Sequence, residues 1–68
     1  MNRDTAALVI DMSGTVDDAF EFSQEIIDGK LGGKYKDDLA VVYHLLQQAK
    51  DVLKPIAEDA DDTLKVPF

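Results

Sequence analysis

The chain contains no cysteine and no tryptophan, and it has one histidine among its 68 residues. The lack of cysteine excludes a disulfide framework and a thiolate zinc site, two of the ways in which small domains are stabilised. A core of this size rarely supplies more than about 3–5 kcal/mol by itself. The sequence therefore predicts that the chain gains stability by associating with another chain, and a homodimer is the simplest form.

Basic residues are scarce, because seven Lys and Arg stand against fourteen Asp and Glu, for a formal net charge of −7. Nucleic acids and anionic membranes are bound through basic surfaces, so this balance argues against both. Long apolar runs are also missing, since the stretch from Ala6 to Ile10 is far shorter than the roughly 20 residues of a membrane span. We therefore expect a cytoplasmic protein with protein partners, no membrane contact and no direct nucleic acid binding.

The first periodic segment covers residues 4–28. Acidic residues recur there every seven positions, and two more lie on the neighbouring helical row, while apolar residues follow the opposite side. This pattern predicts an amphipathic helix. A break at Ser13–Gly14 stays possible, although a continuous helix is favoured. The six carboxylates, here called the acid stripe, are Asp4, Asp11, Asp18, Glu21, Glu25 and Asp28.

The second periodic segment covers residues 37–63. Its apolar positions are spaced alternately by three and four residues, as in helices that pack along their length: Leu39, Val42, Leu46, Ala49, Leu53, Ile56, Ala60 and Thr63. Pro55 faces outward in this pattern and is expected to kink the helix. Asp37 or Asp38 is expected to cap its start. Residues 64–68 are predicted to form an apolar tail that packs against the helices.

The glycine-rich residues 29–36 are predicted to form a loop, with Gly29 ending the first helix. Charge favours an antiparallel arrangement of the two helices, because residues 4–28 contain seven acids and no base, whereas residues 29–54 contain five lysines and three aspartates. The predicted fold is thus an all-α antiparallel helical hairpin that forms a single domain.

The predicted apolar surface is wider than one partner helix can cover, because Leu45 and Val52 lie beside the regular spacing of the second helix. Two hairpins that dimerise into a four-helix bundle would cover it, and completion by a different protein stays an alternative. The residues expected in the core and the dimer interface are Val9, Met12, Val16, Phe20, Ile27, Leu39, Val42, Leu45, Leu46, Val52 and Leu53.

One short segment, from Ala7 to Val16, resembles motif I of the haloacid-dehalogenase-like phosphatases, a strand followed by Asp-x-Asp-Gly-Thr. The resemblance implies Asp11 as the nucleophile, but Ser13 stands where that family has its second aspartate. The family also needs a parallel sheet, and residues after 16 offer only helices. His44 has no second ligand or nucleophile to act with. The sequence predicts no enzyme, no catalytic residue, no cofactor and no metal site.

The acid stripe is the feature that points to a function. Six carboxylates without a lysine among them are more one-sided than solubility requires. They predict a non-catalytic inhibitor or adaptor that occludes a basic surface of a partner protein, for example a DNA-binding or regulatory surface. The alternative is an assembly, chaperone or scaffold subunit whose apolar strip, Val41, Leu45 and Val52, is completed by a helix of another protein.

Overall fold

The computed structural model describes residues 1–66, which form two long helices joined by a tight loop. α1 covers Arg3–Asp28, a short 3₁₀ turn covers Gly33–Tyr35, and α2 covers Lys36–Lys65. The helices pack side by side as a hairpin that measures 52 × 15 × 15 Å. The prediction of an all-α helical hairpin is confirmed.

α1 begins with a side-chain cap and continues without a break. The Oδ1 atom of Asn2 accepts a hydrogen bond from the backbone N–H of Thr5 at 2.7 Å, which satisfies one of the free donors of the first turn. The helix passes through Gly14, where the Thr15 hydroxyl donates to the Asp11 carbonyl at 3.1 Å instead of capping a new helix. The segment that resembles the phosphatase motif therefore lies within a helix and not in a strand.

Gly14 offers a direct test of the continuous helix. A Cβ added there would meet no atom within 4 Å, so Gly14→Ala should raise the free energy of unfolding by about 1 kcal/mol through helix propensity alone. For a chain of this size we expect a melting temperature about 4–8 °C higher, measured by circular dichroism at one fixed concentration. Ala7→Gly, an exposed position two turns earlier, is the control and should shift it down by a similar amount. A lower melting temperature for Gly14→Ala would contradict an unstrained helix at this point.

Gly29 ends α1 as the sequence predicts, and the left-handed residue of the turn is the lysine that follows it. Gly29 has a right-handed conformation (φ −82°), whereas Lys30 takes the left-handed one (φ 55°). The backbone N–H of Leu31 then donates to the Ile26 carbonyl at 2.9 Å, and that of Lys30 to the Ile27 carbonyl at 3.2 Å. This is the Schellman arrangement that satisfies the last carbonyls of a helix.

Both ends of α2 differ from the sequence prediction. Tyr35 is the residue that precedes the first turn and makes no side-chain cap, while Asp37 and Asp38 lie inside that turn, so the expected aspartate cap was wrong. They act there through charge, because carboxylates are favourable near the positive end of a helix. α2 continues as one helix through Pro55 and extends to Lys65, beyond the predicted end at residue 63.

The predicted tail is therefore partly helical. Leu64 belongs to α2 and is half-buried, and Val66 is exposed. The backbone carbonyl of Val66 accepts a hydrogen bond from Nη1 of Arg3 at 3.2 Å, which joins the two open ends of the hairpin. Lys65 donates to Asp61 at 2.7 Å, and this hydrogen bond raises the pKa of Lys65. Pro67 and Phe68, which complete the predicted plug, lie outside the described residues.

The contact between the two helices, here called the packed seam, is offset from the spacing that the sequence suggested for α2. Tyr43 and Ala57 face α1, whereas Val42 and Ile56 are 43% and 39% exposed. The half-buried or buried positions of the packed seam recur every three or four residues. They are Ala6, Val9, Ser13, Val16, Phe20 and Ser23 of α1 and Leu39, Tyr43, Leu46, Lys50, Leu53, Ala57, Ala60 and Leu64 of α2.

An aromatic contact lies in the loop-side half of the packed seam. The rings of Phe20 and Tyr43 stack with their centroids 4.9 Å apart, and Nζ of Lys50 lies 4.3 Å from the Phe20 centroid. Lys50 also pairs with Asp17 at 3.7 Å. Among the described residues only Ala6, Ala60 and Ser23 are buried, so the hairpin encloses no large apolar side chain of its own.

Candidate protein-binding surfaces

All six residues of the acid stripe are exposed on α1. Asp4, Asp11, Asp18 and Glu25 lie directly opposite the packed seam, because a spacing of seven residues keeps them on one side of the helix. Within residues 1–66 none of the six forms an ion pair; the acid of α1 that does so is Asp17, on a different row. The stripe therefore presents uncompensated carboxylates to solvent.

The spacing of the acid stripe makes it act as one electrostatic feature. Carboxylates seven residues apart are separated by about 10 Å along the axis, close to the Debye length of about 8–10 Å at physiological ionic strength. Screening at that distance reduces the interaction of neighbours to about a third, so their potentials overlap in part. From Asp4 to Asp28 the stripe is about 36 Å long, which exceeds what a single ligand group would need.

The last turn of α1 is a poor place for carboxylates. Glu25 and Asp28 lie beside the negative end of the helix dipole, and no basic residue stands in that turn. Each such charge costs a few tenths of a kcal/mol at an exposed site, on the order of 0.3–1 kcal/mol at low salt. Helix stability therefore does not explain why the stripe continues to the end of α1.

A second exposed surface is apolar and runs along both helices. We call it the open apolar face; its large side chains are 39% to 69% exposed and recur every three or four residues. It consists of Leu8, Met12 and Phe22 of α1 and Val42, Leu45, Val52 and Ile56 of α2, with the smaller Thr15, Ala19 and Ala49 between them.

The apolar rows of the two helices lie on the same side of the hairpin. On the other side, Asp17 of α1 shares a groove with Asp51, Lys54 and Glu58 of α2 and pairs with Lys50 at its edge. On both helices the groove residues follow the packed seam by one residue, and the exposed apolar residues precede it by one residue. Because the helices are antiparallel, residues with the same offset from the seam lie on the same side of the hairpin, so the two apolar rows form one continuous face. The hairpin thus has one polar side and one apolar side.

The residues predicted for the core and dimer interface divide into two groups. Half-buried between α1 and α2 are Val9, Val16, Phe20, Leu39, Leu46 and Leu53. Left exposed by the hairpin are Met12, Ile27, Val42, Leu45 and Val52. Ile27 lies beside the loop and outside the open apolar face.

Sequence reasoning missed two large members of the open apolar face, Leu8 and Phe22, which are 69% and 64% exposed. A signal for them exists, because Leu8, Met12, Thr15, Ala19 and Phe22 are spaced by four, three, four and three residues. This apolar row lies one residue before the row of the packed seam on α1. The two rows together read as a single wide apolar stripe in the sequence.

Two other features are absent from the part of the chain that the structure describes, a metal-binding cluster and a membrane span. No group of three His, Asp or Glu side chains in it is arranged to hold a metal ion. Neither α1 nor α2 combines the length and the apolarity that crossing a bilayer requires. Comparison of the chain with protein-family models, with curated proteins and with solved structures found no match.

Proposed function

We propose that the protein is a non-catalytic interaction module that uses the acid stripe of α1 to bind and occlude a basic surface of a partner protein, as an inhibitor or adaptor. The observation that carries this proposal is the stripe itself: six exposed carboxylates, unpaired within residues 1–66, on the side of α1 that faces away from α2. Complementary charge of this kind steers association and sets orientation.

The working form in this proposal is a homodimer in which two hairpins make a four-helix bundle. A lone hairpin would expose the whole open apolar face while enclosing only two alanines and one serine among the described residues. Amphipathic helices obtain most of their stability by burying an apolar side, so the hairpin needs a second layer. The acid stripe stays free in such a bundle, because it lies on a third side of α1.

The open apolar face favours a second candidate function, that of an assembly or scaffold subunit whose apolar face is covered by a helix of another protein. The two candidates differ in their response to salt. Binding through the acid stripe should weaken steeply as the Debye length falls from about 10 Å at 0.1 M to about 3 Å at 1 M, whereas apolar binding should not.

The test is capture of partners from the lysate of the native host on immobilised protein, with three forms compared. The stripe variant carries Asp11→Asn, Asp18→Asn and Glu25→Gln; the control carries Asp51→Asn, Glu58→Gln and Asp62→Asn, which remove the same charge from exposed positions of α2. We expect wild type and control to retain the same basic protein and the stripe variant to lose at least tenfold in affinity. Circular dichroism checks that all three are equally helical.

Two results would contradict the acid-stripe function. One is undiminished capture by the stripe variant; the other is an equal loss in the control, which would indicate a general effect of net charge. Affinity for the retained protein, once purified, should also fall when the ligand of its basic surface is added, because occlusion requires competition for one site.

A further inference from the structure

We infer that the open apolar face is the docking site for a second copy of this chain, and that the two hairpins pair with their loops at the same end, so that α1 of each copy packs against α2 of the other. This inference rests on the dimer of the proposed function and adds the surface, the orientation and the number of partner sites.

The area of the chain supports a second copy as the occupant. Its solvent-accessible surface is 5189 Å². A folded monomer of 7.5 kDa is expected to have about 4,200 Å², so the hairpin leaves roughly 1,000 Å² more in contact with solvent than a compact fold would. A stable interface of standard size buries about 800 Å² on each partner, which is close to this excess.

The direction of the open apolar face fits a bundle of four helices. On each helix its row is displaced from the packed seam by about 100°, which is one residue step around the axis. In a four-helix bundle each helix has two neighbouring helices, which lie in directions about 90° apart around its axis. Both helices of the hairpin carry this second row on the same side, so a second hairpin can cover both rows at once.

The heights of the apolar side chains match between copies. Two contacts mark the relative heights of the helices, the Asp17–Lys50 ion pair and the Phe20–Tyr43 ring stack, and their registers differ by four residue steps, about 6 Å. Counted from these two contacts, Phe22 lies level with the stretch of α2 between residues 41 and 45. When the loops are at the same end, Phe22 of one copy therefore meets Val42 and Leu45 of the second copy.

The other large side chains behave in the same way. By the same two counts, Met12 lies level with residues 51–55 of α2 and Thr15 with residues 48–52, so Met12 meets Val52 and Thr15 meets Ala49 of the second copy. A dimer with its loops at opposite ends can also align apolar residues, Met12 of one copy with Phe22 of the second. Height alone consequently does not choose between the two arrangements.

Charge makes the choice. Loops at opposite ends would place α1 beside α1 of the second copy, so that two acid stripes of six carboxylates each would adjoin, with no base in residues 4–28 of either copy. Loops at the same end place Asp11, Asp18 and Glu25 beside the uncharged Pro55, Gln48 and Val41 of the second copy. Only Asp4 then adjoins an acid of that row, Asp62 at the open end. Like charges that flank a helix interface are destabilising, so the second arrangement is favoured.

A functional consequence follows for the acid stripes. In this arrangement the two α1 helices lie diagonally across the bundle, and their acid stripes face opposite directions. The dimer then offers two separate binding surfaces and takes up two copies of a basic partner. An arrangement with adjoining stripes would instead form one wide acidic surface.

The experiment is a distance measurement between nitroxide labels by pulsed electron paramagnetic resonance. Because the chain has no cysteine, Lys34→Cys at the loop and Val66→Cys at the open end each give one label per copy at an exposed position. Adjacent helix axes are 8–10 Å apart, so loops at the same end should give at most about 30 Å at both positions. Hairpins 52 Å long with loops at opposite ends should give about 45–50 Å.

Short distances for both variants support the inference. Long distances for both overturn the orientation and leave the dimer of the proposed function intact. A monomeric mass for the labelled and unlabelled chains, measured by sedimentation equilibrium, overturns the second copy as occupant and with it the dimer, while binding through the acid stripe is tested separately by the capture experiment. Melting curves of both cysteine variants before labelling show whether the fold is retained.

Discussion

Replacing Phe20 with alanine is expected to leave the protein largely unfolded at micromolar concentration and 25 °C. The centroid of the Phe20 ring lies 4.9 Å from that of Tyr43 and 4.3 Å from Nζ of Lys50. Phe20 therefore contacts two other side chains of the packed seam. Truncation of a core phenylalanine to alanine costs about 3–5 kcal/mol, and for the half-buried Phe20 we expect a cost at the lower end of this range. A single core in a chain of this size supplies about the same amount, so little stability would remain.

The measurement is helicity and thermal unfolding by circular dichroism at one concentration, with Phe20→Leu as the graded control. Leucine keeps most of the apolar contact and loses the ring stacking and the cation–π contact, which together are worth about 1–2 kcal/mol. We therefore expect Phe20→Leu to fold with a lower melting temperature. A variant Phe20→Ala that melts within a few degrees of wild type would contradict a structural role for this aromatic contact.

The sequence predicted the hairpin because its strongest patterns are local. Acidic residues at intervals of seven fix one side of α1, and the glycine-rich residues 29–36 can only connect, so two helices must turn back on one another. Pro55 did not divide α2, since it lies on an exposed part of the helix where water can bind the carbonyl that loses its donor.

The offset of the packed seam could not be read from the sequence. Apolar residues of α2 occupy several adjacent rows, from Tyr43 through Leu46 and Val42 to Leu45, and this arc is wider than one neighbouring helix covers. Which part of the arc meets α1 depends on tertiary contacts, here the Phe20–Tyr43 stack and the small side chains of Ala6 and Ala60. Periodicity shows that a surface is apolar, but it does not assign the neighbour that covers it.

The sequence also did not identify which loop residue has the left-handed conformation. Glycine is the usual residue in the left-handed position after a helix. Gly29 ends α1, so it would be the expected residue for that position. In the structure the left-handed residue is the next one, Lys30, with φ 55°. A second left-handed residue, Gly33 with φ 58°, precedes α2. A shift of one residue leaves composition unchanged, so only the backbone geometry reveals it. The acid stripe, in contrast, was read correctly as an exposed row because its period is long and regular.

Replacing Phe22 with alanine is expected to weaken the dimer by about three to four orders of magnitude in Kd. In a lone hairpin this ring is 64% exposed, and its loss would change little. In the proposed dimer each Phe22 is covered by the second copy, and burial of such a ring is worth about 2–3 kcal/mol. Two rings are lost per dimer because of the two-fold symmetry, about 4–6 kcal/mol in all, and each 1.4 kcal/mol is tenfold in Kd.

Sedimentation equilibrium over a hundredfold dilution measures this effect, with helicity followed at the same concentrations. The control is Leu31→Ala, which removes a large side chain that is 73% exposed in the loop and outside the open apolar face. Wild type and Leu31→Ala should sediment at twice 7.5 kDa at concentrations where Phe22→Ala has dissociated and lost helicity. If Phe22→Ala dissociates no more readily than Leu31→Ala, the dimer uses a different surface. If wild type is itself a poorly helical monomer, the open apolar face is completed by another protein, because no second copy then covers it.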